Sequence, residues 1–378
     1  MFDTAHLAQA IAWRHDLHRH PELAFEEVRT SAMIAGLLQD WGWNVHQGMA
    51  TTGVVATLGD GSGPRLGLRA DIDALPIHEA TGLDYASTIA GKMHACGHDG
   101  HTAMLLLAAR EIAKRGVRGG SLRLIFQPAE ESEGGAKVMV DDGLFRQFPC
   151  DTVYGIHNWP GLAPGRLVAR DDQMMAAFAV FDIEITGKGG HGAMPEQSDG
   201  VVAAAARIAS GLQEVPARSL SPLDTGVMSV TQIHTGSAYN ICPDSAVLRG
   251  TARWFAPAAG DVLETRLNQI ATGIAASQAC QARVDYQRRY PATINTATEA
   301  ALARDVGAAM GLDVADAAPS MASEDFSFML EQVPGAYIWL GAGRDGNNPG
   351  LHAATFDFND AVLPVGAEFW VRLAERVL

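Results

Sequence analysis

The periodicity of this chain changes between residues 177 and 291, and that change constrains the fold more than any other feature. Before it, strand and helix signals alternate. Residues 54–58, 65–71, 121–127 and 152–157 read as strands; 101–115 and 134–144 read as helices, the first carrying Met104, Leu105, Leu107 and Ala108 on one apolar face. The first forty residues read as two helices split near His20-Pro21-Glu22. Such alternation predicts an α/β sheet covered on both faces. From Ala177 the pattern becomes strand 177–186, helix 200–215, strands 226–234 and 246–255, helix 261–279 and strand 282–290. That β-α-β-β-α-β order is the ferredoxin-like unit. Helix and strand signals resume at 298–310, 336–340 and 361–378. The expectation is a discontinuous larger domain, 1–176 and 292–378, with a complete α+β domain, 177–291, inserted.

A chain of 378 residues is long for one hydrophobic core, which agrees with two domains. A formal net charge of −15 argues against nucleic acid and anionic membrane surfaces as partners. The opening Met1–His6 has no basic region followed by an apolar core, so no signal peptide is expected. No apolar run approaches the roughly 20 residues of a membrane span. Cys96, Cys150, Cys242 and Cys280 lie far apart, so a disulfide framework is not expected and a reducing, cytoplasmic setting is.

The chemistry concentrates in His94-Ala95-Cys96-Gly97-His98-Asp99-Gly100-His101, where one thiol, three imidazoles and a carboxylate fall within eight residues. Three further pieces follow strand signals: Glu130-Glu131, His157, and His352 at the end of the loop Asn347-Asn348-Pro349-Gly350-Leu351-His352. Asp73, in Asp71-Ile72-Asp73, emerges where open α/β sheets place their sites. Thiolate, imidazole and carboxylate together suit zinc or a nearby first-row metal. Five ligands, Cys96, His98, one of Glu130 and Glu131, His157 and His352, exceed one tetrahedral zinc, which favours two metals with a bridging ligand. Neighbouring side chains on an extended segment diverge, so one of Glu130 and Glu131 can ligate while the other serves as proton acceptor for water activated by metal. Asp73 suits the role of orienting a ligating imidazole. His94 and His101 are expected to be bystanders, His101 opening a helix. His15, His18 and His20 are expected to be structural, as are Cys150, Cys242, Cys280 and the pair Glu324-Asp325. Two rival readings are a thiol hydrolase, with Cys96 as nucleophile and His98 as base, and a non-catalytic metal-binding protein.

These motifs resemble the dinuclear-zinc exopeptidase superfamily, and within it the amidohydrolase branch of aminoacylases, hippurate hydrolases, N-acetyldiaminopimelate deacetylases and auxin-conjugate hydrolases. The resemblance runs from Leu17-His18-Arg19-His20-Pro21-Glu22-Leu23 through Leu68–Pro76, His94–His101, Gln127–Glu131, Gly187–His191 and Met321–Phe326 to Leu351-His352. It implies a zinc-exopeptidase-like α/β/α catalytic domain with an inserted lid or dimerisation domain. It implies two divalent ions, zinc or alternatively manganese, cobalt or nickel, on Cys96, His98, Glu131, His157 and His352, with Cys96 bridging. It makes Glu130 the general base and then acid. It implies a homodimer, or a dimer of dimers, in which His191 of one subunit supports the oxyanion in the other's site, while Asn240 and Arg253 hold a substrate carboxylate. The implied substrate is an N-acyl-amino acid, cleaved to a carboxylic acid and a free amino acid; a metallo-dipeptidase or carboxypeptidase is the alternative. Ala353-Ala354 departs from the Ser-Pro pair common after the last ligand, which bears on the pocket wall.

Overall fold

The computed structural model describes residues 2–131, 133–346 and 348–378. In chain order the elements are α1 (Thr4–Arg19), α2 (Val28–Asp40), β1 (Asn44–Met49), β2 (Gly53–Gly59), β3 (Arg65–Asp71), α3 (His98–Arg115), β4 (Ser121–Gln127), α4 (Gly135–Asp141), α5 (Leu144–Gln147), β5 (Thr152–Trp159), β6 (Arg166–Val168), β7 (Asp172–Met175), β8 (Ala177–Thr186), β9 (Gly190–His191), α6 (Val201–Ser219), β10 (Gly226–Thr235), β11 (Ile241–Cys242), β12 (Ser245–Trp254), α7 (Pro257–Ser277), β13 (Gln281–Tyr290), β14 (Thr293–Asn295), α8 (Ala297–Ala309), β15 (Asp313–Val314), α9 (Ser327–Leu330), β16 (Gly335–Gly341) and α10 (Leu363–Val377). Among the described residues no helix is long and apolar enough to cross a membrane.

The chain forms two compact units: residues 1–174, 293–318 and 325–378, and residues 175–292 with 319–324. The short segment Pro319–Glu324 falls outside the continuous run expected of the smaller domain. It joins that unit because the Ala176 amide donates to Ser320 O (3.0 Å) and to Ala322 O (2.9 Å).

The larger unit is built on an eight-stranded sheet in the order β1-β2-β4-β3-β5-β16-β6-β15. Its centre is parallel: β4 pairs with β3, β3 with β5, and β5 with β16. All seven residues of β4 and all seven of β16 are buried, as strands covered on both faces require. β1 and β2 form an antiparallel margin. The sequence pattern misses β1 because Asn44–Met49 is a mostly exposed edge strand without apolar alternation. The central helix α3 starts at His98, one turn before the expected start, because Gly97 breaks the backbone immediately ahead of it with φ +93°. The expected helix 134–144 is split for a similar reason, Gly143 standing at φ +90° between α4 and α5.

The smaller unit is an antiparallel sheet, β10-β12-β8-β13, with the β-α-β-β-α-β chain order β8-α6-β10-β12-α7-β13. Phe181, Ile183 and Ile185 on β8 share one core with Ala204, Ile208 and Leu212 of α6 and Leu263, Leu267 and Ala271 of α7. The alternate residues of β8 are less buried, which is the period-two signal that marked this strand in the sequence.

Candidate metal centre

Register in the larger sheet sets the height of the site. Asp71 pairs with Gln127 across β3–β4, and Arg69 pairs with Gly155 across β3–β5. Asp71, Gln127 and His157 therefore stand at one level, at the carboxyl ends of three adjacent parallel strands. The turns that follow carry Asp73, Cys96, His98, Glu130 and Glu131. His352 arrives from the segment after β16, where its amide donates to Ala95 O at 2.8 Å and its backbone is left-handed at φ +65°. Asn347, in the loop leading to His352, lies outside the described residues.

The ligand-type atoms converge in overlapping groups. Cys96, His98 and His157 lie within 4.8 Å of one another, as do Cys96, Glu131 and His352, and as do His98, Glu130 and Glu131. The two buried imidazoles of these groups, His98 and His157, each have Nδ1 engaged by a backbone carbonyl. His98 Nδ1 donates to Asp73 O (2.9 Å), and His157 Nδ1 donates to Asn158 O (2.6 Å). That leaves His157 Nε2 3.3 Å from Cys96 Sγ, and His352 Nε2 3.2 Å from Glu131 Oε1. His98 Nε2 is buried with no hydrogen-bond partner among the described residues. A buried imidazole nitrogen without a hydrogen bond costs free energy unless something coordinates it. This nitrogen, 3.6 Å from Asp71 Oδ2 and facing a thiol and carboxylates, fits a resident cation.

Asp73 holds two of these side chains. Its carbonyl and carboxylate both face His98 Nδ1, at 2.9 and 3.3 Å, and its Oδ2 accepts from the Glu131 amide at 3.0 Å. Gly97 permits the close approach of the Cys96 turn: a Cβ there would meet the Asn158 side chain at 2.4 Å. The Asn158 amide group in turn donates to Cys96 O at 2.7 Å.

The electrostatics favour metal over nucleophile. Burial, and the charges of Glu131, Glu130 and Asp71, push the Cys96 thiol well above its ordinary range. Catalytic thiols need the opposite environment. Burial holds His157 neutral, the form in which imidazole ligates. Burial opposes charge on His98 too, but Asp71, Asp73 and Glu131 outweigh it and carry the imidazole up to about 10. A cluster of carboxylates that recruits a proton onto a buried imidazole is short of positive charge.

His101 does more than open a helix. Its Nδ1 donates to Asp71 Oδ1 (2.6 Å), and its Nε2 accepts from the Asn158 amide (2.9 Å), next to His157. Its neighbours in sequence give no hint of this, because Asp71 and Asn158 come from other strands. The same holds for His18, whose acidic partners are distant in the chain. His18 lies fully buried between Asp99 Oδ2 (2.9 Å) and Glu79 Oε1 (3.2 Å). Arg14 also reaches Asp99 (3.3 Å) and Asp357 (3.0 Å). Burial alone would depress His18, but its hydrogen bonds to Asp99 and Glu79 carry it up to about 9. The folded value exceeds the unfolded one, so the protonated His18 stabilises the fold fully below about pH 6.5, and that contribution is lost as pH rises through about 9. Thermal melts of the wild type are expected to lose on the order of 2–3 kcal/mol across that window. His18→Gln should start less stable and show a flatter decline; an equally steep decline in the variant would assign it to another group.

His191, Asn240 and Arg253 all lie in the smaller unit. Ile241 pairs with His191, and the Gly192 amide donates to Asn240 O (2.8 Å), so the two exposed residues sit on one short ribbon. Arg253 donates to Met321 O (2.8 Å) and stacks its guanidinium 4.7 Å above the Phe178 ring. Asp325 is structural: it accepts from Arg69, Gln127 and the Ala136 amide.

Parallel strands ending in a thiol, imidazoles and carboxylates that face one another, in a chain that also carries a ferredoxin-like unit, mark a metal-dependent hydrolase. Residues 67–376 match peptidase family M20/M25/M40, and the chain belongs to that family. It is 37% identical over 369 residues to the hippurate hydrolase of Campylobacter jejuni, covering 97% of this chain and 95% of the relative. It is 37% identical over 381 residues to the N-acetylcysteine deacetylase of Bacillus subtilis, covering 100% and 99%. Among solved structures, the Bacillus subtilis YXEP protein, described as a dinuclear metal-binding peptidase of the M20 family, superposes with a TM-score of 0.86 at 34% identity, covering 100% of this chain and 99% of that one.

Proposed function

We propose that this protein hydrolyses the amide bond of N-acyl-amino acids, with two divalent metal ions held by Cys96, His98, Glu131, His157 and His352. The observation that carries this reading is the buried Nε2 of His98, which has no hydrogen-bond partner among the described residues and faces Asp71 Oδ2 at 3.6 Å and the thiol and carboxylates of the other candidates. Cys96 would help hold either ion, since it belongs both to the group with His98 and His157 and to the group with Glu131 and His352. When bound, the ions supply Lewis acidity to the scissile carbonyl and to water.

Glu130, buried beside Glu131, takes the proton from the attacking water as its oxygen adds to the amide carbon. The C–N bond then breaks, and Glu130 returns that proton to the departing nitrogen. Asp73 keeps His98 and Glu131 oriented throughout. His191, contributed by a second subunit of a homodimer, donates to the oxyanion of the tetrahedral intermediate. Asn240 and Arg253 hold the α-carboxylate. Zinc suits a site with a thiolate best, with manganese, cobalt or nickel as alternatives. Four free cysteines agree with a reducing, cytoplasmic setting.

Chelation followed by add-back tests the reading. Dialysis against a chelator should abolish release of free amino acid from benzoyl- and acetyl-amino acids, and zinc, manganese, cobalt or nickel should restore it. Dipeptides assayed in parallel separate an acylase from a dipeptidase. Full activity after verified metal removal, with loss on alkylation of Cys96, would establish a thiol hydrolase instead.

A further inference from the structure

We propose that Glu27 is a positioning residue for this site: its buried side chain clamps the left-handed turn at Ala129 and so sets the directions in which Glu130 and Glu131 leave the sheet. The proposal builds on the hydrolase reading above but concerns a residue about one hundred positions away from the turn it holds.

Glu27 immediately precedes α2 and is fully buried. One carboxyl oxygen, Oε1, accepts from the Ala129 amide at 2.9 Å; the other, Oε2, accepts from the Thr52 hydroxyl at 2.5 Å. Both contacts fall on unusual backbone. Ala129 stands at φ +56°, a conformation that side chains with a Cβ adopt only when the surroundings hold them there. Thr52 follows Ala50 and Thr51, at φ +46° and +71°, which form the tight turn between β1 and β2. The next residue, Gly53, packs that turn onto the same place, since a Cβ there would meet Pro128 Cδ at 3.1 Å.

Bonds from separate elements hold the path from Gln127 to Glu131. The Ile72 amide donates to Gln127 O (3.0 Å), the Gly135 amide to Ala129 O (2.9 Å), and the Glu131 amide to Asp73 Oδ2 (3.0 Å). Glu27 adds its bond from the Ala129 amide. Without Glu27 that amide would be a buried donor beside a strained residue, and the turn could relax by rotating the peptide ahead of Glu130. Because Glu130 must reach a proton on water and Glu131 must face His352, a small rotation misplaces both groups. Burial, opposed by the Thr52 hydroxyl and reinforced by the charge on Asp73, pushes the Glu27 carboxyl up to about 7. A residue needed only to start α2 would not require so poorly solvated an acid.

The test compares wild type, Glu27→Gln and Glu27→Ala as zinc-loaded full-length protein. Glutamine keeps an acceptor for the Ala129 amide and a partner for Thr52; alanine keeps neither. Glu27→Ala is expected to lose at least tenfold in kcat on an N-acyl-amino acid with KM changed less than twofold, and Glu27→Gln to recover to within about threefold. Two readouts need no turnover. Amide exchange across residues 127–131 should accelerate at least tenfold in the alanine variant alone, and calorimetric titration of the apoprotein with zinc should weaken in the same variant.

Wild-type exchange and wild-type kcat in Glu27→Ala would overturn the proposal, as would equal loss in both variants with unchanged exchange. If Glu27→Ala does not fold, Thr52→Val breaks one arm only and should lower kcat two- to fivefold with faster exchange at 127–131; no change in either would again overturn it. A wild type that cleaves no N-acyl-amino acid refutes the hydrolase reading, while exchange and zinc titration still judge the clamp.

Discussion

Glu130→Gln is expected to lower kcat about a thousandfold while the purified protein keeps its full metal content. General acid–base groups contribute roughly 10²–10⁴ in rate. Glu130 is asked to act twice, first accepting a proton from water and then giving it to nitrogen, so the upper half of that range applies. The metal should stay because the proposed ligands, Cys96, His98, Glu131, His157 and His352, are untouched. Elemental analysis alongside steady-state kinetics checks both halves. A variant that retains more than a tenth of wild-type kcat removes Glu130 from the reaction, and one that loses metal makes it a ligand. The same protein tests His191. Mixed with inactive His191→Ala protein under conditions of demonstrated subunit exchange, it should yield active heterodimers; no recovery would confine His191 to its own subunit or to no role.

The second large effect concerns stability. Arg69 lies wholly inside the larger unit, on the fully enclosed part of β3. Its guanidinium donates to Asp71 Oδ2 (2.8 Å), Asp325 Oδ1 (3.1 Å) and Gln127 Oε1 (2.7 Å). Asp71 holds His101, and Asp325 holds the start of α4 through the Ala136 amide. Arg69→Ala leaves two buried carboxylates facing each other across the vacated space. Breaking one side of a buried ion pair costs about 3–5 kcal/mol, because the remaining charge has lost both water and its partner. Chemical denaturation should show a loss of that size in the larger unit's transition. Arg69→Ala combined with Asp325→Asn should recover part of it, because that variant buries one negative charge fewer. A loss below about 1 kcal/mol would mean that water enters and solvates the carboxylates.

Cys96, His98, Glu130, Glu131, His157 and His352 can be proposed from sequence because their chemistry is carried by residue type and by position after a strand. The inserted unit was readable because a half-exposed strand such as Ala177–Thr186 must alternate in polarity. The boundary at Pro319–Glu324 was not, since two backbone hydrogen bonds to Ala176 leave no trace in composition. Nor was β1, whose side chains face water and need no pattern.

By itself the sequence determined the α/β class with its inserted unit, because periodicity follows from burial. It also supplied candidates for metal binding, because ligand chemistry follows residue type. Only the tertiary structure decided what those side chains rest on. Arg69 with Asp325, His101 with Asp71 and Asn158, His18 with Asp99 and Glu79, and Glu27 with Thr52 and Ala129 are all partners from separate elements. A buried polar group must find a partner wherever the packed chain supplies one, and sequence distance does not limit that choice.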